Sequence, residues 1–322
     1  RAAAAIKVSD LVVADSTSCV TGEIQTGSDH AAEVPTAAML IAKANSGYAG
    51  SDNSASVENV QIVWYPDGTN QDGITTGNSK VEIAPVETGT MVYSGNGIAS
   101  LLIGSVDANN KLPDEEGRAS QQGTLTNKFT IKNVTIQAGD FGKKETANVG
   151  VEGNIAAGMI GEIKSGAVMI GNSDDPTENW KTNIKINGTL TLNAVKGEKS
   201  VAGGLVGKVA DTASTQNDAL TLQKVYLEAD TLTMNGREDQ NSILGGFVGS
   251  VADGKSVHVE NADLIAESVN GGVKENSQTW NAGTTGGIIG SVTAGTKTEL
   301  KDVRVTTAEG KLGGKQAAGG VI

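Results

Sequence analysis

Gly203-Gly204-Leu205-Val206-Gly207-Lys208-Val209 returns twice downstream, as Gly245-Gly246-Phe247-Val248-Gly249-Ser250-Val251 and Gly286-Gly287-Ile288-Ile289-Gly290-Ser291-Val292. Weaker copies lie upstream, at Ala157-Gly158-Met159-Ile160-Gly161-Glu162-Ile163, Ser100-Leu101-Leu102-Ile103-Gly104-Ser105-Val106 and Ala38-Met39-Leu40-Ile41-Ala42-Lys43-Ala44. A seventh begins at Gly319-Gly320-Val321-Ile322, where the sequence stops. Repeats at such a period set an architecture before any local assignment does.

A second motif alternates with the first. Its copies are Ser9-Asp10-Leu11-Val12-Val13, Glu58-Asn59-Val60-Gln61-Ile62, Lys132-Asn133-Val134-Thr135-Ile136 and Ile186-Asn187-Gly188-Thr189-Leu190. Gln223-Lys224-Val225-Tyr226-Leu227, Glu260-Asn261-Ala262-Asp263-Leu264 and Lys301-Asp302-Val303-Arg304-Val305 continue it. Each is a short run of alternating apolar and polar residues with strand character. The glycine motif recurs at steps of 62, 57, 46, 42 and 41 residues, so the extra upstream length belongs in loops. Pro66–Gly73, Asp107–Gln122, Gly139–Asn148 and Gly171–Asn179 have the Gly, Asn and Asp content that turns require. Val34–Ala44 has room for three helical turns but overlaps a motif copy, so it reads as strand.

Strands at fixed places in a repeat, without intervening helices, predict an all-β, right-handed, single-stranded parallel β-helix (a β-solenoid) of about seven irregular coils. Residues 1–322 form one domain on this reading, with long-loop coils in 1–200 and regular coils in 201–322. Leu205, Phe247 and Ile288 should form one buried column, and Val209, Val251 and Val292 another. Val206, Val248 and Ile289 should point the opposite way, because side chains alternate along a strand. Glycine at the motif's edges implies either positive φ or a close approach of neighbouring backbones. Asn59, Asn133, Asn187 and Asn261 suggest a corner ladder, interrupted by Asp10, Lys224 and Asp302.

Gly204-Leu205-Val206-Gly207 resembles the GLUG motif, named for Gly-Leu-any-Gly, of bacterial surface and secreted proteins. The same repeat is found in adhesin-like proteins and in non-catalytic regions of some secreted immunoglobulin A peptidases. The resemblance covers three clear copies between Gly203 and Val292. It implies a right-handed parallel β-helix and an extracellular or bacterial cell-surface location. Phe247 and Ile288 depart from the Leu of the motif, and Leu101 and Met39 replace its first Gly.

Composition narrows the function classes. The 322 residues include 43 Gly but only 3% aromatics, so the core is built from small aliphatics. A net charge of −12, without a Lys/Arg run, disfavours nucleic acid and anionic lipid. No run approaches the roughly 18 apolar residues of a membrane span. Cys19 has no second cysteine and reads as a small half-buried residue. The sequence starts at Arg1 and breaks off inside a motif, which reads as a segment of a longer polypeptide, its last coil covered by further chain or by a neighbouring subunit.

Some parallel β-helices are polysaccharide lyases and hydrolases built on clustered carboxylates. The acidic clusters here, Asp114-Glu115-Glu116, Asp174-Asp175 and Glu238-Asp239, fall in loops and do not recur at coil spacing, so they read as solvated loops. Asp67–Gly73 has oxygen ligands for Ca²⁺ between Asp67 and Asp72 but lacks the distal bidentate Glu, and a plain turn is favoured. His30 and His258 are far apart, without a Cys/His cluster for zinc. Thr-Leu-Thr at Thr124–Thr126, Thr189–Thr191 and Thr231–Thr233 reads as ordinary strand threonine rather than an ice-binding ladder. Asn133-Val134-Thr135 and Asn187-Gly188-Thr189 match the glycosylation sequon by pattern alone.

No catalytic, cofactor-binding or metal residue is assigned, and no cofactor is expected. The expected function is a non-catalytic structural or adhesive segment, a rod displaying binding loops, with assembly into a filament as a further option. Its partners would be a host or neighbouring-cell surface protein or glycan, or a second copy end to end. The alternative is a carbohydrate-binding or polysaccharide-degrading β-helix.

Overall fold

The computed structural model describes residues 7–15, 20–21, 34, 36–45, 55–64, 90–93, 97–107, 128–139, 147–171, 182–194, 199–210, 220–236, 241–272, 283–314 and 316–320. Among them every regular element is a strand, and every strand pairing is parallel. Three sheets account for all of the strands: one of 11, one of 7 and one of 6.

The chain visits the three sheets in a fixed order. β1 (Lys7–Asp15) and β2 (Val20–Thr21) enter the large sheet, β3 (Thr36–Ala38) the second, and β4 (Ile41–Asn45) the third. The next passage repeats this with β5 (Ala55–Trp64), β6 (Thr90–Tyr93), β7 (Ile98–Ser100) and β8 (Ile103–Asp107). Then come β9 (Lys128–Ala138), β10 (Ala147–Gly153), β11 (Ile155–Ala157) and β12 (Ile160–Ser165). The fourth passage has β13 (Ala167–Gly171), β14 (Thr182–Ala194), β15 (Val201–Gly203) and β16 (Val206–Val209). Later passages carry one long strand in the large sheet: β17 (Leu220–Asn235), β20 (Ser256–Gly271) and β23 (Lys297–Leu312). Between them lie β18 (Ile243–Gly245), β19 (Val248–Val251), β21 (Thr284–Gly286), β22 (Ile289–Val292) and finally β24 (Ala317–Gly319). The second sheet runs β24-β21-β18-β15-β11-β7-β3, each strand beside its counterpart one passage away. This all-parallel stacking is consistent with a β-solenoid. Val34–Ala44 is strand over Thr36–Ala38 and Ile41–Asn45, as the sequence suggests.

Some loop boundaries move. Asp107 ends β8, Ala147 and Asn148 open β10, and Gly171 ends β13, so strand pairing extends into stretches whose composition reads as turn.

Alternation on the large sheet is regular. In β17 the buried residues Leu220, Leu222, Val225, Leu227, Ala229, Leu232 and Met234 are separated by half-exposed polar ones, with the phase stepping once at Lys224 and again at Asp230. Those steps are bends. Asn59, Asn133, Lys224, Asn261 and Asp302 all have φ between 51° and 54°, and all sit just before the same register position. The predicted corner ladder is therefore real, and Lys224 and Asp302 occupy it rather than interrupt it. Asn133 Nδ2 donates to Asn59 Oδ1 at 2.7 Å across adjacent strands. Asn187 does not belong to the ladder. Thr182, at the start of the same strand, pairs with Val225, so the residue level with Lys224 is 181, outside the described residues. Asn187-Gly188 instead marks the second bend, where the pairing of β14 with β17 shifts and Gly188 has φ 133°.

Left-handed backbone costs a lysine more than an asparagine, whose short amide tolerates it. Lys224→Asn is expected to stabilise the chain by up to about 1 kcal/mol, read as a thermal midpoint about 2 °C higher. An unchanged or lower midpoint would contradict the ladder assignment.

The glycine motif is a corner between the second and third sheets, not one strand. β15 ends at Gly203, Gly204 and Leu205 turn, and β16 begins at Val206. Leu205, Phe247 and Ile288 form the predicted column, being 0%, 0% and 4% exposed. Leu205 N donates to Phe247 O at 2.9 Å, and Phe247 N to Ile288 O at 2.8 Å. Val209 and Val251 are also buried, while Val292 is partly exposed. The expectation that Val206, Val248 and Ile289 point outward fails, for all three are fully buried. Gly204 and Leu205 lie between β15 and β16, so the period-2 alternation of a single strand does not carry through the corner, and Leu205 and Val206 are both buried.

Of the two roles open to the motif glycines, the structure selects close approach. No positive φ occurs at Gly203, Gly204 or Gly207. A Cβ on Gly204 would run into the carbonyl oxygen of Gly246 in the next passage and into Leu227 Cδ1 of the large sheet. The upstream corners survive loss of that glycine. Leu101 is fully buried and its N–H donates to Gly158 O at 3.2 Å.

Candidate binding surface

The side chains on the outer face of the large sheet form columns, one residue per strand. Glu58, Lys132, Gln223, Glu260 and Lys301 share one register position, with the backbone of Gly171 lying between Lys132 and Gln223. Thr130, Met169, Thr221, His258 and Glu299 share the position two residues earlier. Beyond the first bend, Gln61, Thr135, Tyr226, Asp263 and Arg304 are aligned, with the buried Asn183 between Thr135 and Tyr226. Parallel pairing brings these residues together although about 40 positions separate each from the next in the later passages.

The C-terminal part of this face carries cross-strand ion pairs. Arg304 donates to Asp263 through Nε at 2.9 Å and Nη2 at 2.8 Å, a two-pronged contact. Lys301 Nζ donates to Glu260 Oε1 at 2.5 Å, and Gln223 Nε2 to Glu260 Oε2 at 3.2 Å. His258 sits between two carboxylates, with Nε2 3.5 Å from Glu260 and Nδ1 3.5 Å from Glu299. Lys185 Nζ lies 5.1 Å from the centre of the Tyr226 ring. In the third sheet Lys208 pairs with the mostly buried Glu162 at 3.3 Å.

These contacts move the ionisation of their members. Hydrogen bonds from Lys301 and His258 hold the Glu260 carboxyl below the ordinary glutamate value, and Glu260 in turn raises Lys301. Asp230 is shifted the other way, first by burial and then by the like charge of Glu267 in the adjacent strand. The signs differ accordingly. A lowered carboxyl contributes stability at neutral pH, and that contribution is lost as pH falls through and below the ordinary carboxylate range. Asp230 opposes folding when ionised, and its penalty fades over the same acid range. A carbon-detected NMR titration is expected to place the Glu260 midpoint below that of an exposed glutamate. Lys301→Met should move it back upward, and a midpoint that ignores Lys301 would sink the assignment.

Most residues singled out from the sequence lie outside the described residues: Cys19, His30, Asp67–Gly73, Asp114–Glu116, Thr124–Thr126, Asp174-Asp175 and Glu238-Asp239. Of the histidines, His258 is placed on β20, in the ion-pair cluster. Among the described residues no group of three His, Cys, Asp or Glu side chains is placed to hold a metal ion. No helix among them is long and apolar enough to cross a membrane.

The threonine runs look different in three dimensions. Thr189 pairs with Thr231 and Thr191 with Thr233, in adjacent strands. The unequal spacing that argues against a ladder in the sequence arises because Thr124–Thr126 is included. The later two runs are 42 residues apart, one passage of the chain. Reading the threonines against the step of the glycine motif would have found the pairing. Comparisons with family models, characterised proteins and solved structures returned no match to this chain.

Proposed function

We propose that this chain is a non-catalytic structural and adhesive segment of a bacterial cell-surface or secreted protein. In this reading it is a right-handed, single-stranded parallel β-helix of about seven coils running as one domain. Long-loop coils occupy residues 1–200 and regular coils 201–322. The observation that carries the reading is the parallel register of the second sheet: each inner strand lies beside its counterpart one passage earlier and one later. Such a stack gains length by repetition, because each passage buries its apolar side chains against its neighbours alone. Seven strands at about 4.8 Å spacing span roughly 29 Å, and every added passage extends the rod without redesigning a core. The outer columns form ordered polar faces on which a partner can be read. Partners in this reading are a surface protein or glycan of a host or neighbouring cell, or a second copy end to end.

The test pairs adhesion with chemistry. Beads coated with the chain should adhere to a panel of bacterial and epithelial cells, while the soluble chain releases no reducing sugar from a glycan panel. Turnover of any glycan would replace this reading with that of a polysaccharide-degrading enzyme. Beads that bind no cell type would remove the adhesive role.

A further inference from the structure

Beyond the second bend of the large sheet, the outer face changes character. In β14 the outward residues are Thr189, Thr191 and Asn193, separated by the fully buried Leu190 and Leu192. In β17 they are Thr231, Thr233 and Asn235, separated by the buried Leu232 and Met234. In β20 they are Ser268 and Asn270, on either side of Val269. Register places Thr189, Thr231 and Ser268 in one column, and Thr191, Thr233 and Asn270 in the next. Asn193 and Asn235 form a third, joined by a hydrogen bond from Asn235 Nδ2 to Asn193 Oδ1 at 2.9 Å. All eight side chains are half-exposed, and none is charged. Charge returns at the edges, with Glu152 beside Asn193 and with Glu309 and Lys311 beyond Ser268 and Asn270.

We propose that this face binds a neutral, hydroxyl-rich polysaccharide. The inference rests on the adhesive reading above and gives it a site and a ligand class. Every group on the grid is a hydroxyl or an amide, able both to donate and to accept. That matches sugar hydroxyls, which do the same. The four threonine hydroxyls carry no hydrogen bond to another described residue, so their capacity is directed outward. Rows recur about every 4.8 Å and alternate residues about every 6.7 Å, so a repeating polymer meets equivalent groups again and again. Many weak contacts then add through effective concentration. Charge selects against other partners. An anionic polymer is repelled by a chain of net charge −12 and finds no cation inside the grid. A protein partner would want aromatic or apolar anchors, and the grid presents none.

Affinity electrophoresis of the folded chain in gels containing hydroxyethyl cellulose, dextran or mannan tests this, with polygalacturonate as the charged comparator. Retardation is expected in at least one neutral gel and not in polygalacturonate. The double substitution Thr191→Val and Thr233→Val keeps β-branched shape but removes two central hydroxyls, and should weaken binding about tenfold. Thr130→Val, on a different part of the same sheet, should leave it unchanged. Circular dichroism melts of both variants verify folding. The proposal is overturned if no neutral glycan retards the chain, if the double variant migrates as the parent does, or if polygalacturonate binds more strongly. It is also overturned if the chain reshapes growing ice crystals while ignoring the glycans. Failure here with intact cell adhesion would remove the grid as the site and leave the adhesive reading in place.

Discussion

Leu205→Asp is expected to lower the thermal midpoint by about 10 °C, or to abolish a cooperative transition altogether. Leu205 is fully buried at the corner, between Met159 and Phe247 in the passages before and after it. Met159 N donates to Leu205 O at 2.8 Å, and Leu205 N to Phe247 O at 2.9 Å, so the carboxylate would enter a buried column whose other side chains are the apolar Met159, Phe247 and Ile288. An uncompensated buried charge costs several kcal/mol, and for a chain of this size each kcal/mol moves the midpoint by roughly 2–4 °C. Stability in a stack is shared between neighbours, so damage should spread to the adjacent passages before the distant ones. Hydrogen exchange should therefore show amide protection lost first around Met159 and Phe247. Leu205→Met, which keeps volume, should cost less than about 1.5 kcal/mol. A midpoint unchanged by the aspartate would refute the corner column.

Gly204→Ala is the second large effect, at about 3 kcal/mol or more, above the ordinary range for overpacking. The added methyl meets the Gly246 carbonyl oxygen, which belongs to backbone fixed by the N–H of Gly204 donating to Gly245 O at 3.2 Å, and so has little room to retreat. Gly254→Ala separates crowding from conformation. Gly254 has φ 68° but nothing within 4 Å of the position where a Cβ would stand. Its substitution should cost only the left-handed backbone penalty, about 1–2 kcal/mol. Denaturant melts of the two variants should show the first falling well below the second. If both lose equally, close approach is not what the motif glycine serves.

The recurrence of Gly-Leu-Val-Gly and its variants was enough to predict parallel strands in repeated order, because a fixed period brings like positions together. It did not reveal the corner at Leu205. Four apolar or glycine residues in a row read equally as one buried strand or as two short strands meeting, and periodicity cannot separate them. The bend ladder was legible at Asn59, Asn133 and Asn261, where residue type matches the left-handed backbone. It was obscured at Lys224 and Asp302, where register imposes that conformation on less suited residues. Asn187 misled for the converse reason: an Asn-Gly pair marks a bend, and β14 carries it at a second bend, level with the step at Asp230 in β17. On the outer face, Glu260, Lys301 and His258 gave no sign of association in the sequence, since their spacing reflects the length of a passage and not a local motif. The neutral grid was partly written in Thr-Leu-Thr-Leu-Asn and Thr-Leu-Thr-Met-Asn, and became visible once β14, β17 and β20 were aligned.

The central claim is that equivalent positions stack one strand apart throughout the described strands. Spin labels at Gln61 and Arg304 test it most directly. Register connects Gln61 to Thr135, Asn183, Tyr226, Asp263 and Arg304 in successive strands. Both end positions are exposed, so labels fit there without disturbing the core. Five strand spacings of about 4.8 Å place the two backbones about 24 Å apart, although 243 residues separate them in sequence. With Cys19 replaced by Ser, double electron–electron resonance should give one narrow distance distribution centred near that value, widened only by the label linkers. A broad distribution, or a centre displaced by 10 Å or more (about two strand spacings), would contradict the stacked register on which the account rests.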